Sequence, residues 1–278
     1  MQVERIAAFS DGDKGGNPAG VVICDTLPEA EVMQAVAAEV GYSETAFAAP
    51  TGSAWRVRYF APQSEVPFCG HATIALGAAL ALRHGEGIFA LQLNDAAITV
   101  EGRRQGSLVA AALQSPPTRS EPADPQLLAE ALALFSLAPD DLDPALPPAL
   151  AMAGARHIVL ALKNRQRLAA MDYDLAAGTA LMRQAGLITI SLIQAQTPQL
   201  FNSRNPFASG GVFEDPATGA AAAALAGYLR DLGWPHGGVI DIVQGEDMGM
   251  PSRLRAEIPP EAGSSIRVSG TARLIEAP

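Results

Sequence analysis

Residues 68–84, FCGHATIALGAALALRH, decide the fold. They read as a helix, but the apolar residues run all the way round it instead of along one stripe. A helix apolar on every side must be buried on every side. A second stretch of the same kind, DPATGAAAAALAGYLRDLG, occupies residues 215–233. Each opens with a glycine and a threonine near its first turn, in CGHAT and DPATG.

Strand patterns surround both helices. Before the first helix lie QVERIAAFS, AGVVICDT, SETAFAAP and AWRVRYFAP, and after it FALQLNDAAITVEGR and SLVAAALQS. Residues 28–40 read as an amphipathic helix, opened by Pro28, with Val32, Val36 and Val40 on one face. The stretch SPPTRSEPADP, 115–125, is rich in proline and polar residues and reads as a linker. The order then recurs: helix, strand, helix, strands, the second apolar helix, and three further strands ending in SIRVSGTARLIEA. This predicts an α/β (α+β) protein built from a duplicated unit. In each unit a strongly curved sheet wraps around one apolar helix. The first spans 1–117 and the second 118–265, with a cleft between them where small ligands bind best.

Bulk properties narrow the function. The chain has 278 residues and a net charge of −10, which argues against nucleic acid or anionic membranes as partners. Two cysteines, Cys24 and Cys69, are too few for a disulfide framework. No secretory leader or bilayer-length apolar run is evident, so a cytoplasmic protein is expected.

The two helix starts carry the most pointed chemistry. The first N–H groups of a helix lack internal partners and attract anions. Two such ends converging across a cleft would hold a carboxylate or a developing enolate. The competing reading is ordinary capping, with Asp215-Pro216 as N-cap and first-turn pair. His71 and the chain's other histidines fall at no zinc-ligand spacing, so no metal site is expected. Cys69 lies at a helix start, which lowers a thiol pKa, but a two-thiol racemase would need a cysteine where Thr218 stands. Glu44, in GYSETAFAAP, would gain a raised pKa if buried and could then act as a general acid–base. Read alone, it fits a surface glutamate on a strand edge best.

The segments GGNPAGVV, YSETAF, RYFAPQSEVPFCGHATIALG, GVFEDPATGAA and QGEDMGMPSRL together resemble the phenazine-biosynthesis PhzF-like family, which shares the diaminopimelate epimerase-like fold. They occur in the family's order over nearly the whole chain. The resemblance implies two pseudo-symmetric domains, each a mostly antiparallel, barrel-like sheet around its central helix, and a final strand, about 266–278, that returns to the first domain. It also implies homodimers in several members and no cofactor or metal. The implied activity is a cofactor-independent proton shift on a small carboxylate, as in trans-2,3-dihydro-3-hydroxyanthranilate isomerase-like enzymes. By resemblance Glu44 is the proton-moving residue, with His71 and Asp215 as its polar partners. Ser43, Gly70, Thr218 and Gly219 contact substrate. Ala220 stands beside them where the family commonly has serine, which removes one hydroxyl contact to a substrate carboxylate. Two alternatives stay open: a thiol-based amino-acid racemase or epimerase using Cys69, and a non-catalytic small-ligand binder.

Overall fold

The computed structural model describes residues 1–275. Its first part contains β1 (Glu4–Ser10), β2 (Asn17–Ile23), α1 (Ala30–Val40), β3 (Thr45–Thr51), β4 (Ala54–Phe60) and β5 (Glu65–Val66). Then come α2 (Gly70–His84), β6 (Gly87–Gln92), β7 (Ala97–Gln105) and β8 (Leu108–Pro117). The second part begins with β9 (Arg119–Pro122), α3 (Pro125–Leu134), β10 (Ala149–Met152), β11 (Arg156–Ala161), α4 (Arg165–Ala169) and α5 (Leu175–Ala185). It ends with β12 (Thr189–Thr197), β13 (Leu200–Phe207), β14 (Val212–Asp215), α6 (Gly219–Leu232), β15 (Val239–Gln244), β16 (Ser252–Glu257) and β17 (Ser265–Leu274). The fold is mixed α/β, and among the described residues 17 strands form one hydrogen-bonded network. Among the described residues no helix is long and apolar enough to cross a membrane.

The strand pairing occurs twice. In the first part β2 and β3 are parallel across α1, β3 and β4 antiparallel, β4 and β6 parallel across α2, and β6, β7 and β8 antiparallel. In the second, β11 and β12 are parallel across α5, β12 and β13 antiparallel, β13 and β15 parallel across α6, and β15, β16 and β17 antiparallel. Strand β17 joins the two series, since it pairs with β16 and also with β1 and β8. Of the strand expected over 266–278, residues 276–278 lie outside the described residues.

The apolar helices sit as their all-round pattern requires. Every residue from Gly70 to Ala81 is buried, against β1, β2, β3, β6, β7, β8 and β17. Every residue from Gly219 to Leu229 is buried, against β9, β10, β11, β16 and β17. Each full-size side chain so enclosed, such as Ile74, Leu76 and Leu80, stabilises the fold by about 1.5–3 kcal/mol. Close approach explains the small residues: a Cβ on Gly102 of β7 would lie 2.4 Å from the Gly77 carbonyl oxygen of α2.

The structure departs from the sequence reading in three places. Helix α1 buries Met33 and Ala37, while Val32 is 46% exposed. The long Met33 side chain joins a cluster with Phe47 and Phe60, whose rings meet edge to face at 5.7 Å. Residues 115–125 are mostly strand and not a free linker, because β9 pairs with β10, and Asp124 caps α3 through the Gln126 and Leu127 N–H groups. Finally, α6 begins at Gly219, so Asp215 and Pro216 precede the helix and do not cap it.

Candidate active site

Helices α2 and α6 meet start to start. A Cβ on Gly70 would lie 3.0 Å from the Ala220 nitrogen and 3.0 Å from the Gly219 Cα. Only glycine permits that approach of two backbones. Cys69 and Thr218 occupy the N-cap positions, and neither side chain caps its helix. Phe9, at a bulge in β1, supports the α6 start: a Cβ on Gly219 would lie 3.2 Å from its ring. Phe9 is buried at φ 59°, a left-handed conformation that costs a bulky residue about 1–3 kcal/mol.

One group of predicted residues gathers at the α2 start. Glu44 immediately precedes β3, whose parallel pairing with β2 places it there, and it is only 5% exposed. Its Oε2 accepts no hydrogen bond and lies 3.4 Å from His71 Nε2. Ser43 Oγ is 3.3 Å from the same nitrogen, and Cys69 Sγ is 3.3 Å from His71 Nδ1. Burial raises the Glu44 carboxyl pKa, against weaker opposition from the Ser43 hydroxyl and Cys69 thiol. Burial drives His71 down to about 3, so its imidazole is neutral at physiological pH. Burial, then the Glu44 charge, pushes the Cys69 thiol well above its ordinary value, so the resting group is a thiol.

The other group gathers at the α6 start. Asp215 ends β14 and is 4% exposed. Asn17 Nδ2 donates to Asp215 Oδ1 at 2.6 Å and to the Ala217 carbonyl at 2.9 Å. The Thr218 hydroxyl donates to Asp215 Oδ2. Gln244 locks the turn: its Nε2 donates to the Asp215 carbonyl at 2.6 Å, and its Oε1 accepts from the Thr218 N–H at 3.2 Å. Burial and the Glu44 charge raise Asp215 to about 7, with Thr218 and Asn17 opposing. The two carboxylates are thus near enough to feel each other across the helix starts. Ala220 offers only a methyl group and is 8% exposed.

All eight predicted site residues therefore lie at these two helix starts. Sequence reasoning assigned no role to Asn17 or Gln244, although GGNPAGVV and QGEDMGMPSRL contain them. It also missed that Glu44, Cys69 and His71 bring a carboxylate oxygen, a sulfur and a ring nitrogen within 4.8 Å of one another. Ligand spacing tests only residues close in sequence, and Glu44 arrives from a different element. A cavity of about 540 Å³ lies elsewhere, over β7, β8, β15, β16 and β17. It includes none of these residues. Its Arg253, Arg255 and Arg267 are already bonded to carboxylates.

The chain resembles known proteins over nearly its whole length. Residues 6–277 match the family described as phenazine biosynthesis-like protein. The chain is 34% identical over 284 residues to trans-2,3-dihydro-3-hydroxyanthranilate isomerase of Pseudomonas aeruginosa, covering 95% of this chain and 94% of that one. It is 30% identical to the uncharacterized isomerase YddE of Escherichia coli K12, over 99% and 96% of the two chains. In fold it resembles a PhzF-family protein of Bacillus anthracis, with TM-score 0.83, 23% identity, and 99% and 98% of the two chains covered. A hydroxyproline epimerase from Agrobacterium vitis is more distant, with TM-score 0.66, 10% identity, and 99% and 89% covered.

Proposed function

The chain belongs to the phenazine biosynthesis-like protein family and is an isomerase, and from that premise we propose that it moves a proton on a small carboxylate metabolite by general acid–base catalysis at Glu44. The observation that carries this reading is the Glu44 carboxyl itself. It is buried, has an oxygen with no hydrogen-bond partner, and sits beside a neutral imidazole at an uncapped helix start. A carboxylate in that setting is a stronger base than one in water.

The residues divide the work among them. Glu44 takes a proton from a carbon next to an unsaturated or carbonyl group, and the electron pair left behind delocalises into that group. The N–H groups at Gly70 and Gly219 hold the substrate carboxylate and the developing negative charge. Glu44 then returns the proton to another carbon, so the reaction is redox-neutral. Ser43 and His71 orient the substrate, and Asp215 supplies a second polar contact from the facing helix start. We read the two strand series, 1–117 with the last strand and 118–265, as barrel-like units that present one helix start each. The high thiol pKa at Cys69 weighs against a resting thiolate as the base.

Incubation in D₂O with a panel of small cyclic and amino-acid carboxylates tests the reading. Wild-type protein should incorporate deuterium into one of them, and Glu44→Gln should bind that compound without exchanging it. Full exchange by Glu44→Gln would remove the assignment.

A further inference from the structure

Inside the first strand series a chain of hydrogen bonds runs from the sheet to the α2 start. Tyr59 of β4 is buried, and its hydroxyl lies 2.7 Å from Thr73 Oγ1. Thr73 Oγ1 in turn lies 2.7 Å from the Cys69 carbonyl oxygen. The direction of the chain is forced. A carbonyl only accepts, so the single Thr73 hydroxyl proton goes to Cys69, and Tyr59 donates to Thr73. Burial pushes the Tyr59 phenol above its ordinary pKa, so the donated proton stays on it at neutral pH. The Cys69 carbonyl therefore accepts twice, from the Thr73 hydroxyl and from the Thr73 N–H at 3.0 Å.

That carbonyl belongs to the Cys69–Gly70 peptide, whose other polar group is the Gly70 N–H. The peptide is planar and trans, so its C=O and N–H point in opposite directions. Holding the carbonyl within the helix turns the N–H out of the helix start. Linked hydrogen bonds also polarise one another, which strengthens the N–H as a donor. The facing start is built differently. There the N-cap carbonyl belongs to Thr218 and accepts from the Ala222 N–H at 2.9 Å, and Ala222 has no hydroxyl to add. The reinforced peptide is thus at the start that carries Glu44. We propose that Tyr59 is a positioning residue for the reaction: through Thr73 it fixes the Cys69–Gly70 peptide, so that the Gly70 N–H faces the negative charge that develops on the substrate. Tyr59 is enclosed in the apolar core with Ile74 and Leu76, so it acts only through Thr73. The effect on turnover rests on the reading of the α2 start as the reacting end, whereas the orientation of the peptide does not.

One readout needs no turnover. Cys-Gly occurs once in the chain, so cysteine labelled with ¹³C at its carbonyl and glycine labelled with ¹⁵N report a single amide, that of Gly70. Tyr59→Phe keeps the ring and deletes the hydroxyl. It should move the Gly70 signal and shift the Cys69 carbonyl carbon upfield, toward a weaker hydrogen bond. In D₂O, with the carboxylate that the wild type labels, Tyr59→Phe should lower the maximal exchange rate by about tenfold and leave half-saturation within about twofold. That is the mark of an interaction made only in the transition state, where losing a whole oxyanion donor costs about 10²–10³-fold. Thr73→Val should slow exchange at least as much, and Thr73→Ser should keep nearly the wild-type rate. Adding Tyr59→Phe to Thr73→Val should cost nothing further, because the two act as one chain. An unmoved Gly70 signal in Tyr59→Phe overturns the relay. A moved signal with an unchanged exchange rate overturns the positioning role and leaves Tyr59 to packing. If Glu44→Gln stays active, the base assignment fails, and the Gly70 signal together with the Tyr59→Phe rate still decides the positioning role. Normal exchange by Tyr59→Phe beside an inactive Glu44→Gln sinks the positioning role alone.

Discussion

The two helix starts share a backbone and differ in how their side chains are held. At α6, Asp215 receives bonds from Asn17 and Thr218, and Gln244 fixes the turn from behind. At α2, contacts are longer, 3.3–3.4 Å around His71, and Glu44 keeps an oxygen unbonded. One start is a satisfied, rigid polar network, and the other is under-bonded and chemically available. The duplicated pairing supplies two equivalent helix starts, and in the proposed reading their side chains divide the work, with proton transfer at one and positioning at the other.

The largest expected effect comes from removing that availability. Glu44→Gln should lower solvent-deuterium exchange by about 10²–10⁴-fold, the usual worth of a general acid–base. It should also stabilise the protein at pH 8. A carboxyl with a raised native pKa binds its proton more tightly when folded, so its contribution to stability is lost as pH rises from the unfolded value through the folded one. The uncharged amide of the Glu44→Gln variant does not titrate and carries no such loss. Denaturant titrations of both proteins at pH 5 and pH 8 should show the gap opening at the higher pH. Equal behaviour at both would mean that Glu44 is not strained by burial.

Asn17→Ala attacks the rigid start. It deletes two hydrogen bonds and leaves Asp215 underbonded, at a cost of about 1–3 kcal/mol for the buried group left behind. Asn17 opposes the rise of the Asp215 pKa from its ordinary value to about 7. The variant's pH–rate limb near neutrality should therefore move upward. A stability loss with an unmoved limb would make Asn17 structural only.

These residues also mark how much was legible. The two apolar helices announced themselves because an all-round pattern has one physical meaning, burial. Glu44 did not, since nothing local distinguishes a buried glutamate at the head of a strand from an exposed one; only its resemblance to family text singled it out. Asn17 and Gln244 act through contacts 198 and 26 residues away along the chain, which no periodicity encodes. Helix α1 misled because equal spacing favours any face with valines, whereas packing chose the longer Met33.

Gly70→Ala tests the junction between the starts. Its Cβ would press on the α6 backbone at 3.0 Å, and overpacking of this kind costs about 1–3 kcal/mol. Gly87→Ala is the control, because a Cβ there meets nothing within 4 Å. Thermal unfolding should separate the two variants by several degrees, and equal midpoints would mean that the junction yields freely.

The smallest effect at neutral pH, and the finest test of the comparison, concerns the two buried histidines. His71 lies at the available start. His157 lies in β11 of the second series, with Nδ1 2.8 Å from Thr189 Oγ1 and Nε2 without a partner. Burial lowers both to about 3. In the unfolded chain each titrates near its ordinary 6.5, so the unfolded state binds more protons between those values. Stability from each is therefore intact above pH 6.5 and is lost as pH falls toward about 3. His157→Gln should flatten that acid-side slope by up to one proton and leave deuterium exchange at pH 7.5 unchanged. His71→Gln should flatten the slope equally and also slow exchange. Matching stability profiles with divergent activity would show that the second series uses its histidine for packing alone, while the α2 start uses its own for both.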